Sequence, residues 1–91
     1  MLLETNKKPV KSKNLKVIDQ LGTLYATFDG SSIWKIDKVA FGILRLCDGK
    51  KSFDEIVGEV SKRALVSEKD LAPVLKEILS DLERMRFIEW V

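Results

Sequence analysis

Ninety-one residues, 45% hydrophobic and 33% charged, suit one small soluble globular domain rather than a disordered chain, one that buries roughly 60–65% of its unfolded surface and so has a thin core. There is no histidine and one cysteine, Cys47, which removes the commonest general base, the ordinary zinc ligand sets and any intrachain disulfide. A net charge of +2 does not by itself imply a polyanionic partner. No apolar run approaches the roughly 20 residues that span a bilayer, and Met1–Lys13 lacks the apolar centre of a signal peptide, so a cytoplasmic protein is expected.

In chain order, residues 1–14 read as a flexible basic arm. Lys7, Lys8, Lys11, Lys13 and Lys16 stand together with no acid between Asn6 and Ile18. Such an arm is either a solvated terminus or a basic contact for an acidic peptide, an enzyme or nucleic acid. Residues 15–91 read as a single domain.

Leu15–Asp19 and Leu24–Phe28 are rich in β-branched and aromatic residues and are predicted strands, with a turn at Gly22. Asp29-Gly30 signals a hairpin, because both residues tolerate positive φ. It returns the chain into a third strand, Ser32–Ile36. Side chains alternate along a strand, so Ser32, Trp34 and Ile36 share one face and Ile33 and Lys35 the other. The product is a three-stranded antiparallel meander with the first and third strands as its edges.

Asp37 suits the N-cap of a helix over Lys38–Cys47, which Asp48-Gly49 ends. Ser52-Phe53-Asp54-Glu55 matches a capping box and opens a second helix, with Phe53, Ile56, Val57 and Val60 as its apolar stripe. For the third helix, an N-cap at Asp70 places Pro73 in the first turn, where its missing N–H matters little. Ser67 is the alternative start, with Pro73 then a source of strain or a kink. Leu71, Val74, Leu75, Ile78, Leu82 and Met85 form its stripe, and Leu79 widens it. Phe87–Val91 is a short β-like tail that packs on, or pairs with, the meander. Strands followed by helices argue an α+β fold.

Chemistry for catalysis is missing. There is no Gly-x-x-x-x-Gly-Lys or Gly-x-Gly-x-x-Gly loop, no cysteine cluster, and no histidine to activate Ser31 or Ser32. Cys47 falls on the apolar side of its helix and reads as core rather than nucleophile. No catalytic residue, metal site or cofactor is assigned, and the chain is not expected to be an enzyme.

The run from Trp34 to Lys50, with Leu46-Cys47-Asp48-Gly49 at its end and Ser52-Phe53-Asp54-Glu55-Ile56-Val57 after it, resembles the PqqD family, also described as RiPP recognition elements. The resemblance covers roughly Leu15–Val91. It implies a winged helix-turn-helix-like domain with a three-stranded antiparallel sheet followed by three helices. It also implies a function: binding the leader of a ribosomally made precursor peptide and presenting it to a modifying enzyme. The leader would add as a strand beside the third strand, against the third helix. The implied enzyme partners are a radical SAM protein, a cyclodehydratase or a leader protease. The Lys-rich arm and the large Trp34 depart from the family pattern.

Strand-edge physics is compatible with that role, because an unpaired edge offers a ladder of backbone donors and acceptors. The edge is Ser32, Ile33, Trp34, Lys35 and Ile36, with Trp34 and Ile36 forming either a pocket floor or the core beneath it. Leu75, Leu79 and Leu82 share a helix face and are candidates for the far wall. Leu75 and Leu82 also fit the core, while Leu79 falls beside the main stripe and is assigned to the groove. Lys35, Lys76 and Arg86 are placed to meet acids in the peptide.

Two rival readings remain. A winged-helix DNA-binding protein needs a basic recognition helix. Between Asp70 and Arg86, three cations face four acids, a net of −1, which makes nucleic acid the weaker partner. A structural adaptor or homodimer would pair the open edge with its twin.

Overall fold

The computed structural model describes residues 7–91. The elements run β1 (Pro9–Lys11), β2 (Lys16–Gln20), β3 (Thr23–Thr27), β4 (Ile33–Ile36), α1 (Lys38–Leu46), α2 (Phe53–Ala64), α3 (Glu68–Arg84) and β5 (Ile88–Trp90). The fold is mixed α+β, with a three-stranded antiparallel sheet, three helices and a second, two-stranded sheet.

Turn chemistry builds the larger sheet. Between β2 and β3, Leu21 and Gly22 both have positive φ (54° and 86°), the combination a tight hairpin requires. The Asp19 carboxylate accepts the Gly22 N–H at 3.1 Å. Between β3 and β4, the Asp29 carboxylate accepts the N–H groups of Ser31 and Ser32 at 2.8 and 3.0 Å. Those bonds hold its carboxyl below the usual range. The Thr27 hydroxyl accepts the Gly30 N–H and donates to the Ser32 carbonyl. The order is β2-β3-β4, as the sequence predicts, with Ala26 opposite Trp34 and Leu24 opposite Ile36.

Helix starts follow local hydrogen bonding. The Asp37 carboxylate accepts the Ala40 N–H at 2.7 Å to open α1, and Ser52 with Glu55 forms the full capping box of α2. The third start differs from the favoured expectation. Ser67, not Asp70, caps α3, its hydroxyl accepting the Asp70 N–H at 3.2 Å. Glu68 and Asp70 then occupy the first turn, where the helix dipole favours acids. Pro73 therefore lies inside the helix, where it cannot donate to the carbonyl four residues back.

The chain ends correct one further expectation and decide another. Residues 1–6 of the expected arm lie outside the described residues. Residues 9–11 are a strand, not part of a loose arm; the C-terminal tail pairs with that strand rather than with the meander, while its Phe87 ring packs against Phe28 and Trp34, the packing alternative of the expectation. Reciprocal bonds of 2.8 Å between Lys8 and Val91 extend the β1–β5 ladder. On its other side β1 meets the end of α1: the Lys11 N–H donates to the Cys47 carbonyl and the Gly49 N–H to the Pro9 carbonyl, both at 2.9 Å. Pro9 opens its strand, where a missing N–H is tolerated. Gly49 has φ 78°, and a Cβ there would sit 3.4 Å from that of Val10. The Asp48-Gly49 pair thus ends a helix and docks a strand.

The core gathers Leu15 and Ala26 from the meander side, Ile43, Leu44, Ile56 and Val57 from α1 and α2, Leu75, Leu79 and Leu82 from α3, and Phe87 and Ile88 beyond it. Replacing the exposed Pro73 by Ala restores a helical N–H at no packing cost. We expect stabilisation of about 2 kcal/mol, slightly offset by a freer unfolded chain, read as a higher denaturation midpoint in urea.

Candidate functional site

Strand β4 has β3 on one side and no strand partner on the other among the described residues. Alternate residues of an antiparallel strand turn their N–H and C=O away from the neighbour, so half of the β4 backbone faces an open edge. Ile33 and Lys35 are exposed, on the outer face. Trp34 and Ile36 turn toward the helices, Ile36 half-buried and Trp34 still 39% exposed. Ser32 lies just before the strand, exposed, with its carbonyl held by Thr27.

Beneath Trp34 lies an aromatic triangle. Its ring meets Phe28 edge-on at 6.3 Å and Phe87 at 5.8 Å, and Phe28 and Phe87 are also 5.8 Å apart. Such edge contacts fix ring orientation as well as burying area. Beside the triangle opens a cleft of about 870 Å³, with Val10, Phe28, Trp34, Met85 and Val91 as apolar lining. Lys11, Lys13, Arg86 and Glu89 bring charge to it. Lys11 is anchored by its Nζ, which donates to the Leu15 carbonyl at 2.8 Å.

The predicted far wall is not where the sequence put it. Leu75, Leu79 and Leu82 are 1%, 0% and 5% exposed and belong to the core. The assignment of Leu79 to a groove is therefore corrected. Helix α3 packs against both α2 and β5, so a broader arc of its surface is covered than a single stripe suggests. Lys76 is exposed on α3 but does not line the cleft, whereas Arg86 does. Sequence reasoning missed Phe28 and Met85 as cleft residues, and it named Lys11 and Lys13 only within a basic arm, with contact to an acidic peptide as one of its two readings. The only sequence signals were the lysine cluster and the excess of apolar residues on α3. Val74 and Met85 remain 52% and 40% exposed, and together with the half-buried Ile78 they share one helix face.

No reactive constellation accompanies this site. Cys47 is buried, its Sγ donating to the Ile43 carbonyl at 3.3 Å. Burial, with the Asp48 charge behind it, pushes the thiol up to about 12. Among the described residues, no cluster of His, Cys, Asp or Glu is placed to hold a metal ion, and no helix is long and apolar enough to cross a membrane.

The described residues thus form a small α+β domain with an open strand edge beside a cleft. The family model described as Coenzyme PQQ synthesis protein D (PqqD) matches residues 17–88, and the chain belongs to that family. The family comprises RiPP recognition elements, accessory and non-catalytic proteins of PQQ and related peptide biosynthesis, which interact with peptides and with biosynthetic enzymes. No curated protein and no solved structure gives a significant match.

Two outcomes test this geometry. Leu79→Ala should cost about 2–5 kcal/mol in urea denaturation, as a buried core leucine does, and Leu79→Glu should prevent folding. Cys47 should resist a thiol reagent at pH 8 until the chain unfolds. Its folded pKa lies above the unfolded value of 9.0, so the native state holds the extra proton. The stability this contributes is complete below pH 9 and is lost as pH rises from there toward 12.

Proposed function

We propose that this chain binds the leader of a precursor peptide by strand addition to β4 and presents it to a modifying enzyme, without catalysing a reaction itself. The observation that carries this reading is the open β4 edge with Trp34 half-exposed above the cleft. Main-chain bonds supply affinity in such a complex, and pockets for alternate side chains supply selectivity. The meander and three helices are read as a winged helix-turn-helix-like domain. Its peptide groove runs between β4 and the Val74–Ile78–Met85 face of α3, in place of the Leu75–Leu79–Leu82 face. The lysines of the N-terminal segment border the cleft end of that groove. The working compartment is the cytoplasm, where precursor and enzyme meet; a radical SAM protein, a cyclodehydratase or a leader protease is the class of enzyme served.

Tryptophan fluorescence tests the proposal. Trp90 is the second fluorophore, and its Nε1 is buried with no hydrogen-bond partner among the described residues. Trp90→Phe therefore isolates Trp34 without breaking such a bond. The probes are synthetic N-terminal segments of any short peptide encoded beside this gene, with duplex DNA as control. We expect saturable binding at micromolar concentration or tighter, and none to DNA. Backbone N-methylation of the leader should abolish binding at every second position, because only alternate peptide N–H groups face β4. Equal tolerance at all positions would exclude strand addition, and salt-sensitive binding to DNA alone would exclude the leader role.

A further inference from the structure

Strand addition fixes the backbone of a bound peptide but leaves the choice of its side chains open. On the leader-binding reading, the cleft beside Trp34 narrows that choice. Its apolar lining is Val10, Phe28, Trp34, Met85 and Val91, and its charged side chains are three cations, Lys11, Lys13 and Arg86, against the carboxylate of Glu89. Among the described residues none of these four makes an ion pair. Trp34 is part of both the cleft and the β4 edge, so a strand laid on that edge passes the cleft mouth.

The position of Arg86 carries a second, independent signal. The end of α3 is a Schellman motif: the Phe87 N–H donates to the Leu82 carbonyl and the Arg86 N–H to the Glu83 carbonyl, both at 2.9 Å. That motif needs a left-handed residue, and Arg86 has φ 65°. Glycine is the usual occupant, since a Cβ is unfavourable there. A long cation is held there instead. The Arg86 carbonyl accepts a 2.6 Å bond from the Ser12 hydroxyl, which ties the Lys11–Asn14 segment to the same corner. One short stretch thus fixes the backbone between Lys11 and Lys13 against the backbone that carries Arg86.

We propose that this cleft selects a peptide strand carrying an apolar side chain beside an acidic one, the apolar group seated against Trp34 and Met85 and the carboxylate held by Lys13 and Arg86. Lys11 adds to the field, with its Nζ already engaged by the Leu15 carbonyl. Exposed cations make such selectivity electrostatic and salt-sensitive.

Three matched extended peptides, identical except for Glu, Gln or Lys beside a central Leu, are titrated against the Trp90→Phe chain together with the synthetic leader. We expect the Glu peptide to bind tightest and the Lys peptide weakest, by roughly five- to tenfold at low salt, with the gap narrowing as salt rises. In the Lys13→Ser/Arg86→Gly variant the three affinities should converge. Because glycine suits that backbone, the Arg86→Gly single variant should melt at no lower a temperature than the parent. Lys62→Ser, a cation removed from α2, should leave the order unchanged. Equal affinities for the three peptides, or an order insensitive to Lys13 and Arg86, would overturn this selectivity. A leader that still binds in that case preserves the leader-binding reading. A response to the leader with none to the three peptides also overturns the selectivity alone, and silence with all four overturns both.

Discussion

Phe87 is the joint on which the molecule depends. Its side chain is fully buried. Its N–H closes the end of α3 on Leu82, its carbonyl accepts the Ser12 N–H, and its ring supports both Phe28 and Trp34. One residue therefore connects the long helix, the N-terminal strand segment and the aromatic face of the meander. Two constraints meet there: buried backbone groups must be paired, and a thin core cannot leave a large ring unpacked. The turn at Arg86 is what lets both be satisfied at once. It reverses the chain within one residue, so that Phe87 drops beneath Trp34 while β5 begins.

The two sheets differ in how their edges are covered. In the smaller sheet, β1 is enclosed on both sides, by β5 and by the segment from Cys47 to Gly49. That enclosure fastens both ends of the described chain to the end of α1. The larger sheet keeps open edges. An open edge risks unwanted pairing between copies, and a short strand bearing a lysine limits that risk. β4 is four residues long and carries Lys35 on its outer face. On the proposed strand addition, the same shortness would bring a peptide strand to the cleft at Trp34 within a few residues.

Charge is distributed to match. The surface ion pairs Lys51–Asp48, Arg63–Glu59 and Arg84–Asp81 are local helix or turn contacts and contribute little to stability. Lys13 and Arg86 take part in none of them. The net charge of the third helix is negative, which suits a packed scaffold helix better than a nucleic-acid reader. The basic character near the cleft comes from the two ends of the chain, Lys11 and Lys13 on one side and Arg86 on the other.

Much of this was legible in the residues. The meander, its edges, the caps at Asp37 and Ser52, and the face on which Trp34 lies all follow from local rules: alternation along strands, positive φ at Gly22 and Gly30, and side-chain oxygens that satisfy early helix N–H groups. The family motif around Leu46–Gly49 was legible for the same reason, since it is a helix end. What sequence periodicity could not decide was how many sides of α3 would be covered. Leu79 and Met85 both extend its apolar stripe, yet α2 and β5 enclose Leu79 and leave Met85 at the cleft. Nor could it place β1, whose partners lie far along the chain, or show that Ser67 would prevail over a proline. Local hydrogen bonding is written in neighbouring residues. Which face of an amphipathic helix remains bare, and which distant strand fills an edge, is fixed only when the elements pack.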